Sequence, residues 1–191
     1  MGKNTSNNLT TNEKGYLGEL QFQNVIKGLN DSNIHMLYNT YLPKSNDRYA
    51  QIDFILMSRK KFICVEVKSW DCEVYVSDSR YWKIIYNNRE IVVANPIQQN
   101  QSHIKTLGDY CTQRFYNRLC FMGHARLDGD ADEIVTIEDI VRELRRGPDI
   151  YTDEEILDVK TRLKSISDSV LFKAIFQEME FVEHGKSKPH N

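Results

Sequence analysis

The chain has 191 residues and no hydrophobic run approaching the roughly 18 residues that cross a bilayer, so no membrane span is expected. Its opening stretch, MGKNTSNNLTTNEKG, is polar and lacks the apolar core of a secretory signal. The four cysteines (Cys64, Cys72, Cys111, Cys120) show no CxxC spacing and no companion histidines at metal-ligand intervals. A reduced, cytoplasmic protein is the simplest expectation. There is also no excess of positive charge: the net charge is −2 and the pI about 6.2. Any nucleic-acid surface must therefore be local rather than spread over the molecule. Gly/Ser-rich or Pro-rich linkers, repeats and low-complexity blocks are missing too, which leaves one well-cored domain with at most a small appendage.

What is present reads as a mixed α/β chain. A helical pattern starts at Thr11, with Tyr16, Leu20, Val25 and Leu29 near one face and Gly28 and Asn30 at its exit. Strand signals follow at 34–42, 51–58, 62–70 and 72–77, and YWKIIY and IVVA flank the turn sequence Asn87-Asn88-Arg89-Glu90. These predict an antiparallel meander. Pro96 opens a helix expected to run to about Arg114, and RLCFMGHA (118–125) predicts another strand. Thr136 and Thr152 each precede a helix, the second with Glu155 three residues on as a capping box, and a last helix is expected over about 168–184.

One stretch stands out. In QIDFILMSRKKFICVEVKSW (51–70) two dense apolar runs carry Asp53, Glu66 and Lys68 inside them. Charged residues are rarely buried unless paired or bound to a metal. Alternation puts Glu66 and Lys68 on one face. A turn centred on Lys60-Lys61 would set Asp53 opposite Lys68 and residue 55 opposite Glu66. Two neighbouring carboxylates repel, and a divalent cation relieves that repulsion; magnesium takes one or two carboxylates and completes its shell with water and phosphate. The same three residues also fit an ordinary ion pair on a half-exposed sheet.

The order of motifs decides between these. Asp53 followed by E-V-K at 66–68 resembles the signature of the PD-(D/E)xK nuclease superfamily, with Ile52 standing where the nominal proline would be. GYLGE (15–19), QID (51–53), EVKSW (66–70) and NPIQQNQSHIKTL (95–107) together resemble the nuclease-related domain, or NERD, over about Thr11 to Phe115. The resemblance implies a restriction-endonuclease-like α/β core, a central mixed sheet flanked by helices, here with extra C-terminal helices. It implies metal ligation by Asp53, Glu66 and the backbone carbonyl of Val67, support from Glu19, a catalytic Lys68, and a site role for Gln99. Gly15 and Gly18 read as positions where the first helix backbone approaches the sheet. His103, four residues after Gln99, reads as a structural or surface histidine, and Trp70 and Trp82 as core or sheet-covering residues rather than base-stacking platforms.

The leading expectation is thus a Mg²⁺-dependent nuclease (Mn²⁺ substituting) that hydrolyses DNA. The alternatives are a non-catalytic nucleic-acid-binding or protein-interaction module on the same fold, or an RNA-directed nuclease. Lys105, Arg114 and Arg118 are further candidate phosphate contacts, whereas Arg59, Lys60 and Lys61 lie at the far end of the hairpin. The expected organisation is a nuclease-related domain over 11–135, a helical extension over 136–184 packed on it, and disordered ends at 1–10 and 185–191. A homo-oligomer is left open.

Overall fold

A computed structural model describes residues 11–44 and 48–185. The disordered ends expected at 1–10 and 185–191 lie, Gly185 apart, outside the described residues. The elements run α1 (Thr11–Gly28), β1 (His35–Pro43), β2 (Tyr49–Met57), β3 (Phe62–Lys68), β4 (Glu73–Tyr75), β5 (Tyr81–Tyr86), β6 (Arg89–Ala94) and α2 (Pro96–Leu107). Then come β7 (Phe115–Phe121), β8 (Arg126–Asp128), α3 (Ile137–Arg145) and α4 (Asp153–Gly185).

The strands form two four-stranded mixed sheets, ordered β1-β2-β3-β7 and β6-β5-β4-β8, instead of one continuous meander. β3 pairs antiparallel with β2 but parallel with β7, a pairing that needs a crossover, and α2 lies within it. The first sheet is covered on both faces. Leu37, Ile55 and Phe62 pack with Leu107 of α2 and with Ile156, Val159 and Leu163 of α4. On the other face Phe54, Ile63 and Val65 pack with Phe22 and Ile26 of α1 and with Ile140 and Leu144 of α3. β3 is accordingly buried along nearly its whole length, as a strand covered on both faces must be. Among the described residues no helix is long and apolar enough to cross a membrane.

Several local expectations shift. The buried face of α1 carries Gly18, Phe22 and Ile26, while Tyr16 and Val25 are exposed. α2 stops at Leu107 with Gly108 as its C-cap, well before Arg114, and β7 begins at Phe115. The two helices expected after Thr152 are one helix of 33 residues, since no Gly or Pro interrupts it before Gly185. Thr136 and Thr152 do cap α3 and α4, each in a reciprocal box, with Asp139 and Glu155. Arg59, Lys60 and Lys61 pair with Asp153, Asp149 and Glu143, pinning α3 and α4 to the hairpin.

The hairpin turn is tighter than its basic run implies. Ser58 N–H donates to the Lys61 carbonyl at 2.9 Å, and the Ser58 hydroxyl accepts from the Lys60 and Lys61 amides at 3.2 and 3.3 Å. The turn therefore centres on Arg59-Lys60, and the register pairs Ile55 with Cys64 and Phe54 with Val65. That is two residues away from the expected register. A shift of two preserves the faces, so Glu66 and Lys68 stay together, but Asp53 no longer lies opposite Lys68.

Candidate active site

β2 departs from regular alternation at Asp53. Leu37 and Leu42 on β1, and Ile52 and Ile55 on β2, are spaced by odd intervals yet face the same core. The β1–β2 ladder pairs Tyr38 with Phe54 and Thr40 with Ile52 and skips Asn39 and Asp53 between them; Asn39 has φ 47°. Such irregularities re-aim side chains. Here the Asp53 carboxylate turns along the sheet and its Oδ2 accepts the Val67 amide at 2.9 Å.

Glu66 projects from β3 toward α2. It is 2% exposed; its Oε1 accepts Lys68 Nζ at 2.6 Å, and its Oε2 lies 3.8 Å from Nε2 of His103. Glu19 comes in from α1. Its helix reaches the site because Gly18 lets the backbone approach: a Cβ there would sit 2.6 Å from Ser69 Cβ. Gly15 has open space around its Cβ position, so the close-approach expectation holds for Gly18 and not for Gly15. Gly15→Ala should therefore stabilise by up to about 1 kcal/mol through helix propensity. Gly18→Ala should instead destabilise by about 1–3 kcal/mol through overpacking. Denaturant midpoints of the two variants check this; equal shifts would remove the close approach from the argument.

The NPIQQ segment divides into structural and site residues. Asn95 caps α2, its Oδ1 accepting the Ile97 and Gln98 amides at 2.9 and 3.3 Å, and Pro96 needs no amide partner at the helix start. Asn100 is fully buried and donates to the Cys64 and Arg118 carbonyls, fixing α2 on β3 and β7. Gln99 and His103, one turn apart, are left facing the cavity.

Glu19, Asp53, Glu66, Lys68 and Gln99 line one cavity of about 650 Å³, as does Val67. His103 lines it too, a residue expected to be merely structural. It is buried, and among the described residues neither of its ring nitrogens has a hydrogen-bond partner. Its position one turn after Gln99 was the only sequence signal. Lys105, Arg114 and Arg118 are not among the lining residues. Arg118 is committed elsewhere, to Glu143 at 2.8 Å, and Arg114 lies over the Tyr116 ring.

Electrostatics follow from this crowding. Burial first, and the Asp53 charge second, push Glu66 up to about 7, with Lys68 opposing them. Burial also raises Asp53, against the Val67 hydrogen bond and Lys68, and burial followed by Asp53 raises Glu19. His103 falls to about 4 because of burial and then the nearby Lys44 and Lys68, so it is neutral above that range. Asp53 and Glu66, both raised by burial and Glu66 further by the Asp53 charge, offer a pair of carboxylates of the kind a hard divalent cation takes. Among the described residues no group of three or more His, Cys, Asp or Glu is arranged to hold a metal. An ion at Asp53 and Glu66 would thus draw its remaining ligands from backbone, water or substrate.

A mixed-sheet core covered by helices, with a carboxylate-lysine cluster at the end of its central hairpin, is the architecture of a nuclease-like α/β domain. The profile of the nuclease-related domain (NERD) matches residues 14–123, and the chain belongs to that family. No curated protein and no solved structure matches it significantly.

Proposed function

We propose that this chain is a divalent-metal-dependent nuclease that hydrolyses DNA. The supporting observation is the single recess that Glu19, Asp53, Glu66 and Lys68 share, with Glu66 at 2% exposure beside a lysine. Buried acids that are raised in pKa and crowded around one cation are typical of chemistry rather than of a solvated sheet face. Asp53, Glu66 and the Val67 carbonyl would hold Mg²⁺ or Mn²⁺. When bound, the ion supplies Lewis acidity toward a phosphoryl oxygen and lowers the pKa of a coordinated water.

The chain's own groups do the rest. Lys68, fixed by its 2.6 Å contact with Glu66, presents an N–H to charge building on the phosphate oxygens. Glu19, which lines the recess and has its pKa raised, would support the metal cluster and take a proton from the attacking water. Gln99 offers an uncharged donor to phosphate or water from the opposite wall. Water oxygen bonds to phosphorus, the bridging P–O bond breaks, and the leaving oxygen takes up a proton.

Incubation with supercoiled plasmid in Mg²⁺ or Mn²⁺, with a chelator control, tests this. Nicking that disappears with chelator is expected. Absence of cleavage of DNA and RNA alike would transfer the reading to a binding module on the same fold, which the acidic pI of about 6.2 also accommodates.

A further inference from the structure

The cavity has two unlike halves. Its floor is polar: Asp53, Glu66, Lys68 and Glu19. One wall is apolar and comes from the second sheet. Ile84 and Ile91 are cross-strand partners in the β5–β6 hairpin, as are Trp82 and Val93, so these side chains share a face. Of them Ile84, Ile91 and Val93 line the cavity, together with Tyr86 and Trp70. Tyr86 is 39% and Ile91 42% exposed, open to whatever occupies the recess.

Phosphodiester chemistry on the floor makes no use of such a wall. We propose that the wall receives an unpaired base, so that the substrate is single-stranded DNA, held with a phosphate at the cation that Asp53 and Glu66 would hold and a base against Tyr86 and Ile91. This rests on the nucleic-acid half of the function proposed above. Three observations carry it. The recess, at about 650 Å³, falls within the roughly 300–1,000 Å³ of small-ligand pockets. A nucleotide can enter it, whereas a continuous duplex, far wider, must first open locally, as negatively supercoiled plasmid does, to bring a backbone phosphate to a carboxylate that is 2% exposed.

Charge agrees. Duplex binding rests on many Lys and Arg contacts to phosphate. The cations lining this cavity are Lys14 and Lys68, already facing Asp71 at 3.5 Å and Glu66 at 2.6 Å. Single-strand binding adds ring stacking to its phosphate contacts, and Lys14 lies 5.9 Å from the Tyr86 ring centre, beside a base placed there. Finally, the recess continues. A second cavity of about 710 Å³ shares Gly15, Glu19, Gln51 and Asp53 with the first and carries Tyr16 and Tyr38, which are 64% and 55% exposed. A strand can therefore pass across Asp53 with aromatic rings on both sides.

The test is fluorescence anisotropy on the full chain with Ca²⁺ in place of Mg²⁺, an ion that takes oxygen ligands, using a labelled oligothymidylate and a hairpin duplex of equal phosphate count. Single-stranded DNA should bind at least tenfold tighter than the duplex. Tyr86→Ala should weaken single-strand binding about five- to a hundredfold, the range of one base–ring stack, and Ile91→Asp, which sets a charge against the base, should weaken it at least fivefold. Val92→Asp, on the opposite face of the same hairpin, should leave it unchanged. Melting curves accompany each variant, and the exposed Tyr86 serves if Ile91→Asp unfolds. Duplex binding as tight as single-strand binding overturns the inference, as does a folded Tyr86→Ala that binds like wild type. Plasmid cleavage with equal binding of both forms sinks this inference alone. Selective single-strand binding without cleavage in Mn²⁺ upholds it and removes catalysis, and binding of neither form removes both.

Discussion

Lys68→Ala should cut plasmid roughly a hundredfold to a thousandfold more slowly than the wild-type protein at saturating Mn²⁺, while keeping its fold. The side chain is 22% exposed and makes its hydrogen bond to Glu66, so truncation opens no core cavity. In the ground state Lys68 is one of several donors available to a phosphate, and its loss should weaken DNA binding only modestly. In the transition state it faces growing charge inside a recess where one positioned donor is worth about 3–4 kcal/mol. Lys68 also holds the pKa values of Asp53, Glu66 and Glu19 down, favouring their charged forms. Its removal should raise all three and weaken metal binding, which is why the comparison is made at saturating Mn²⁺. Single-turnover cleavage is the readout, and equal rates for the two proteins would show that Lys68 has no role in the chemistry.

The second large effect is on stability against pH, in the metal-free protein. Glu66 has a folded pKa of about 7 against an ordinary 4.5. A raised acid favours the protonated folded state, so its contribution is complete below about pH 4.5 and is lost as pH rises through 7. At 1.36 kcal/mol per pH unit the whole loss is about 3.4 kcal/mol, roughly 1.3 kcal/mol of it between pH 6 and 8. His103 works in the opposite sense. Its folded pKa of about 4 lies below the ordinary 6.5, so its contribution is present above 6.5 and is lost as pH falls through 4. Between pH 6 and 8 the His103 gain offsets about 0.8 of the roughly 1.3 kcal/mol that Glu66 loses, so the metal-free protein should melt highest near pH 6 and drop by about 1–2 °C toward pH 8. Glu66→Gln should flatten that alkaline limb, and millimolar-range Mg²⁺ should do the same in the wild type by keeping the carboxylate charged at no cost. Melting curves at pH 5, 6, 7 and 8, with and without chelator, measure it. A metal-free wild type that melts higher at pH 8 than at pH 6 would contradict the crowding argument.

Much of the roster of the candidate site was legible in the sequence because its signals are local. Asp53, Glu66 and Lys68 interrupt apolar strands, where a charge needs a reason, and that contradiction shows in twenty consecutive residues. Thr136 with Asp139 and Thr152 with Glu155 specify helix starts within a single turn, and Asn87-Asn88 adopt the positive φ values that their hairpin requires. Asn95-Pro96 marks the start of α2 just as directly.

Other features depended on groups distant in the chain. The hairpin register turned on Ser58, whose buried hydroxyl selects a tighter turn than the basic run alone predicts. Which face of α1 is buried depended on Gly18 meeting Ser69 and on Phe22 meeting Phe54, whose ring centres lie 4.6 Å apart, and no periodicity within the helix contains those partners. The division of the meander into two sheets followed from β3 finding β7 and β4 finding β8, parallel pairings made across intervening strands and α2. That division also turned the β5–β6 hairpin into a wall of the recess. His103 became a cavity residue only because α2 docks on β3 through Asn100. Residue types and short-range order were thus determined by the sequence itself, through caps, turns and charges out of place. Depth, register and neighbours were decided by tertiary packing, because burial is a property of what arrives from elsewhere in the chain.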